Sequence, residues 1–253
     1  TPPPQPSSTA APLDAVTLRF DWQEPVAAAV FRRAGSLWVI FDQDSPVDIA
    51  SLKAASGNVV RAIEKVPTEQ ATALRFDTVA GVNPGLRRDG LAWMLDFRQQ
   101  PLGPSTPIEA EAQPNSPIGA RIFLPVPEPG RAVVVRDTDV GDNLVVIPVI
   151  PLGYGIERRR EYPQLQILPS AQGVVVRPRI DDLRVRPLRQ GIELTSGDGL
   201  QISSVTPQAA AAASLGVMRP LTRIFDLGQW REGELSDFIP NRQRLQRAIA
   251  KAN

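Results

Sequence analysis

The chain has 253 residues, 42% hydrophobic and 22% charged, with a formal net charge of +1 and neither histidine nor cysteine. It therefore has no side chain whose unperturbed pKa lies near 7 and no thiolate, which excludes Ser-His-Asp triads, Cys-His dyads and zinc hydrolase sites. Twenty-six prolines argue against a mainly helical fold, and the dispersed basic residues leave no footprint for nucleic acid.

Residues 1–13, which begin TPPPQPSSTAAP, read as a Pro-rich disordered linker of the kind that follows a removed export signal or a membrane anchor. From Val16 the chain alternates, with Leu18, Phe20 and Trp22 on one side and Thr17, Arg19 and Asp21 on the other, the period of a half-buried strand. Val26 to Arg32 and Leu37 to Phe41 follow as strands across an Ala34-Gly35-Ser36 turn, and the second is apolar on both faces, as a central strand is. Ser45 as N-cap, Pro46 at the first helical position and Gly57 as the stop predict one short helix. Strands resume at Val59 to Val66, Ala71 to Thr78 and Leu91 to Phe97, the last after an Arg88-Asp89-Gly90 turn.

Five strand motifs fall in one order: Val16-Thr-Leu-Arg-Phe-Asp21, Ala29-Val-Phe-Arg-Arg33, Leu37-Trp-Val-Ile-Phe-Asp42, Ala73-Leu-Arg-Phe-Asp77 and Asp89-Gly-Leu-Ala-Trp-Met-Leu-Asp96. On these motifs residues 14–98 resemble the AMIN domain, a β-rich module of exported bacterial envelope proteins. Two features differ from that pattern: the usual proline before the third strand is missing, and residues 45–56 form a helix-like insert. The resemblance implies a periplasmic location and binding to peptidoglycan or to another envelope protein.

Residues 99–117 hold five prolines and no apolar periodicity, and read as a linker between modules. Residues 118–204 follow as a second module of hairpins, with strands expected at 120–126, 132–136, 143–150, 164–168, 173–177, 183–187, 192–195 and 200–203. Residues 205–253 read as an alanine-rich linker and an amphipathic helix with Phe238, Leu245, Ile249 and Ala252 as its apolar stripe. This stripe has no partner in the chain, which implies the start of a helical region. The layout is similar to the N-terminal region of exported tetratricopeptide-repeat proteins. The fold expected is mainly β: two small antiparallel sandwich-like modules with a short C-terminal helical segment.

Candidate chemistry is sparse. Asp137-Thr-Asp139-Val-Gly-Asp142-Asn143 brings three carboxylates and an amide into seven residues, a Ca²⁺-like density that lacks the closing Glu of an EF-hand loop and reads as a turn. Asp42 with Asp44, and Asp181 with Asp182, are the pairs a glycosidase would need, yet adjacent strand residues point to opposite faces. Arg158-Arg159-Arg160 lies between Glu157 and Glu161 and reads as a neutralised surface turn. Trp22 and Trp93 belong to the core, whereas Trp38 has two readings: a second buried face, which its apolar neighbours favour, or, beside Arg32 and Arg33, the one candidate binding surface, of the aromatic and arginine type that suits glycan or protein. No run of about 18 apolar residues is present to span a bilayer.

The function expected is therefore a non-catalytic periplasmic interaction or scaffold module of an envelope assembly, without catalytic residues, cofactor or metal. One alternative is a self-assembling structural subunit of a large periplasmic ring or motor complex. The other is a carbohydrate-active enzyme built on a carboxylate pair.

Overall fold

The computed structural model describes residues 16–117 and 119–202. The predicted Pro-rich start and the C-terminal linker and helix lie outside the described residues. Within them the chain is mainly β. The first half comprises β1 (Val16–Phe20), β2 (Ala28–Arg33), β3 (Ser36–Phe41), α1 (Ile49–Ala55), β4 (Val60–Val66), β5 (Thr72–Thr78), β6 (Val82–Asp89) and β7 (Ala92–Gln99). The second comprises β8 (Thr106–Pro107), β9 (Glu111–Gln113), β10 (Arg121–Pro125), β11 (Val133–Asp137), β12 (Asp142–Ile147), β13 (Tyr154–Gly155), β14 (Arg160–Glu161), β15 (Leu165–Leu168), β16 (Val174–Pro178), β17 (Arg184–Leu188) and β18 (Gly191–Thr195).

These strands form four antiparallel sheets and one short parallel pair. The sheets run β1-β7-β6, β2-β3-β5-β4, β11-β12-β16-β15-β14 and β17-β18-β10-β9, and β8 pairs with β13. They stack in that order with an apolar layer at each junction. Leu18, Phe20, Trp93, Leu95 and Phe97 of the first sheet meet Leu37, Val39, Phe41, Leu74 and Phe76 of the second. The opposite face of the second sheet, with Ala29, Phe31, Trp38, Ile40 and Ala73, meets Val133, Val135, Leu144, Val146 and Val175 of the third. The third sheet in turn covers Ile122, Leu124, Ile192 and Leu194 of the fourth with Ile147, Ile167, Val174 and Val176. The two inner sheets are thus apolar on both faces, whereas the first sheet turns Thr17, Arg19, Arg87 and Asp96 outward.

The halves read as separate modules are joined by this middle layer and by backbone pairing. The edge of β2 bonds to the second half through Val149 N–H to Ala28 O (2.9 Å), Val30 N–H to Gln172 O (2.9 Å) and Ala171 N–H to Val30 O (2.8 Å). Gln172 is fully buried, and its amide donates to Val149 O and Pro151 O while its oxygen accepts from Gly153 N–H at 2.7 Å. Gly173 (φ 74°) lies so close to β2 that a Cβ there would stand 2.8 Å from the Ala29 Cβ and from Ile147 O. Residues 99–117, expected as a linker, carry β8 and β9 and send Ile108 into the third layer.

Three local readings change. The helix is capped by Asp48, whose carboxylate accepts from Ala50 N–H and Ser51 N–H, not by Ser45, whose own N–H is held by the Thr72 hydroxyl. Strand β6 was masked in the sequence by Pro84 and Gly85, which an edge strand tolerates because one side of its backbone needs no partner. The stretch 200–203 contributes the buried Leu200 but no strand among its described residues.

The β2–β3 hairpin turns on two residues, Ala34 (φ 48°) and Gly35 (φ 84°), both in the left-handed region that a two-residue turn of this hand requires. Alanine is strained there. Ala34→Gly should raise unfolding stability by about 1 kcal/mol, read as a higher urea midpoint at unchanged slope. On the outer face Asp96 accepts from Arg87 at 2.5 Å and from the Thr17 hydroxyl, and the Arg87 bond foremost holds its carboxyl below the usual aspartate range. A lowered folded pKa gives stability that is complete above the unfolded value, about 4, and is lost as pH falls through the folded value. Asp96→Asn should therefore flatten the loss of stability below about pH 4 in acid titrations followed by circular dichroism.

Candidate functional site

The predicted surface residues do not share a surface. Alternation along β2 sends Arg32 and Arg33 to opposite faces of the second sheet. Arg32 closes one end of the first layer, donating to Asn83 Oδ1 (2.5 Å), Val82 O (2.6 Å), Gly35 O (2.9 Å) and the Thr78 hydroxyl. Burial lowers its guanidinium pKa from the ordinary value. Trp38 is 1% exposed, stacked at 6.0 Å on its cross-strand partner Phe31, with the Arg75 guanidinium 6.0 Å from its ring. Of the two readings of Trp38 the buried face is the one found, and the exposed Trp-Arg patch is corrected: the third sheet covers the face on which Trp38 stands.

Arg33 closes the corresponding end of the middle layer. Its Nε meets Asp137 Oδ2 at 2.7 Å and its Nη2 meets Asp142 Oδ1 at 2.5 Å, with side-chain exposures of 11% for Arg33 and 1% for Asp137. Asp137 also accepts from Asp139 N–H and Val140 N–H, which fixes the turn, while Arg177 meets Asp142 at 2.6 Å and Arg75 meets Asp139 at 2.7 Å. The bond to Asp139 raises the Arg75 pKa further above its ordinary range. Each carboxylate of the 137–142 turn is thus held by a guanidinium. This cluster is a clamp between sheets, and no group of side chains able to hold a metal occurs among the described residues.

One cleft, of about 270 Å³, opens where the β8–β13 pair diverges, with Ile108 and Ile156 at its floor and Glu109, Glu157, Arg158 and Arg160 around it. Arg160 spans it to Glu109 at 2.8 Å, and Arg158 stands 3.9 Å from Glu157. Its charges are matched in pairs, and the triple arginine reads as it did in the sequence.

The sheet edges distinguish themselves more sharply. An edge strand offers unpaired backbone groups, which proteins blunt with charge, proline, bulges, brevity or cover. Here β1 carries Arg19 and has α1 against it, β17 carries Arg184, Arg186 and Pro187, β6 carries Pro84 and Arg87, β9 and β14 are short, and β2 is bonded to Val149 and Gln172. Strand β4 is bulged between Val60 and Ala62, with Lys53 on Val60 O. Strand β11 is the exception. It pairs with β12 alone, its run Val133-Val-Val ahead of Arg136 is free of proline and charge, and Val134 is 63% exposed, the largest value among the large hydrophobic residues described.

The floor beside that edge is covered at Val66, which packs with Val133 and Val135, and open beyond it toward the 137–142 turn. Arg131, just before β11, donates to Gln70 at the start of β5, and Asp139, just after β11, meets Arg75 on β5, so β11 runs along β5. The third sheet ends there, one strand short of β4. After the bulge, Ala62, Glu64 and Val66 pair with Asp77, Arg75 and Ala73 and share their face, yet Ala62 and Asp77 are exposed and the Glu64 side chain is 59% exposed. Sequence reasoning passed over β11 as an ordinary hairpin strand. The available signal was Val134, apolar at a position where alternation with Val133 and Val135 calls for a polar residue.

Among the described residues the chain is a mainly β protein of stacked antiparallel sheets, and the Val133-Val-Val run of β11 is the least protected stretch of edge. Comparison with family models, with curated proteins and with solved structures gives no match.

Arg33→Ala leaves Asp137 charged and buried without its partner, so a loss of about 3–5 kcal/mol is expected in urea unfolding. Arg19→Ala, which removes pairs to Asp21 and Asp89 that are exposed on both sides, should leave the urea midpoint nearly unchanged in the same assay.

Proposed function

We propose that this chain is a non-catalytic interaction and scaffold module of a bacterial cell-envelope assembly, working in the periplasm, and that it holds an envelope protein by strand addition at β11. The observation that carries this reading is the bare edge of β11 with Val134 exposed beside a partly uncovered floor. Strand addition uses main-chain bonds for affinity and alternate side chains for choice of partner, and β11 offers five residues for it. The composition agrees, since neither histidine nor cysteine is present to run acid-base or thiol chemistry. The AMIN-like strand order supports the envelope setting. With Trp38 buried and Arg33 held by Asp137 and Asp142, we prefer a protein partner at β11 over glycan at those residues.

A photo-crosslinking residue placed at Val134 in the exported chain, expressed in a bacterial periplasm, tests this. The expected outcome is a discrete adduct with one envelope protein, absent when the same residue replaces Leu91 in the distant β6–β7 turn. An equal adduct at both positions, or none at Val134, sinks the reading.

A further inference from the structure

The floor beside β11 carries more than shape. On the face that the third sheet leaves open stand Glu64, Asp77 and, from the turn beyond β11, Asp139. One guanidinium, that of Arg75, serves two of them, at 2.7 Å from Glu64 and 2.7 Å from Asp139, and Asp77 has no ion pair among the described residues. The shelf is therefore acidic. On the other face of the edge, Val134 is exposed and Arg136 has no ion pair among the described residues.

A strand laid beside β11 in the plane of its sheet must present alternate side chains to these two environments. One set points at the shelf of Ala62, Glu64 and Asp77. The other lies level with Val134. Cross-strand and same-face neighbours in such a ladder favour opposite charges and disfavour like ones.

Resting on the use of β11 as the docking edge, we propose that its partner is an extended polypeptide segment with basic side chains at alternate positions and β-branched residues between them, added as the sixth strand of the third sheet. The basic residues face Glu64 and Asp77, and the β-branched residues continue the apolar surface of Val134. Arg75 cannot neutralise the shelf by itself because Asp139 and Glu64 already share it. An acidic segment of the same length would meet a shelf on which three carboxylates share one guanidinium.

The test uses the full chain and two fluorescein-labelled octapeptides, one alternating Lys and Val and one alternating Glu and Val, followed by fluorescence anisotropy at low salt, where the Debye length exceeds about 10 Å. Each peptide is also made with a terminal cysteine and offered to Val134→Cys, which introduces the only thiol in the protein. The Lys-Val peptide is expected to bind about tenfold tighter than the Glu-Val peptide and to form a disulfide at position 134. Glu64→Lys with Asp77→Lys is expected to invert that order. The gentler Glu64→Gln with Asp77→Asn should shift it in the same direction, and circular dichroism checks that either variant folds.

Equal binding of the two peptides, with trapping at position 134, overturns the basic partner and leaves the docking edge standing. Trapping of neither peptide overturns both. Lys-Val binding that survives the charge reversal places the attraction elsewhere and overturns the basic partner.

Discussion

Everything in this fold depends on a sheet that is dry on both sides. Strands β2 and β3 carry no solvent-facing set: Leu37, Val39 and Phe41 fill one layer while Trp38 and Ile40 fill the next. Such a sheet cannot be stable alone, because either face exposed would return large apolar side chains to water at about 25 cal/mol per Å². It must be built between two others. Its ends raise a second demand, since a strand leaving a dry layer carries its next side chains into polar ground. The adjacent arginines at 32 and 33 meet it on both faces at once, Arg32 on backbone carbonyls, Asn83 and the Thr78 hydroxyl, Arg33 on Asp137 and Asp142.

Much of this was written in the pattern of residues. The alternation at Val16 to Phe20 and the two-sided run at Leu37 to Phe41 announced an outer and an inner strand, and the structure places them so. Apolar periodicity reports burial, however, and does not say which partner provides it. Trp38 shows the limit: beside two arginines it suits an exposed patch, and only the third sheet, drawn from residues about a hundred positions later, makes it core. The acidic turn at 137–142 shows the same from the other side, because the cations that occupy it come from Arg33 and Arg75. Prolines misled in a different way. Those at 84 and 107 sit inside strands whose open sides need no donor, so local breaker chemistry said nothing about pairing.

The open edge of β11 was the least legible part. No single residue marks it. It arises because the third sheet stops above β5 while the second runs on to β4, a difference of one strand created by the way two sheets of separate sequence origin are offset. The bulge after Val60 then decides which β4 side chains lie on the uncovered ledge, turning Ala62 and Glu64 toward it. A shift of one residue would have put Ile63 there in their place, an apolar ledge with a different choice of strand.

The middle layer also has a consequence for the order in which the chain is made. Ala29, Phe31, Trp38 and Ile40 are complete long before Val133, Leu144 and Val175 exist to cover them. During synthesis, the first hundred residues therefore present a finished sheet with one adhesive side and a wait of some hundred residues. Loop closure over that distance is entropically costly and slow. A nascent chain of this design needs an escort until Gly173 has passed beneath Ala29, and its first half, severed from the rest, is a fragment with a permanently uncovered apolar face.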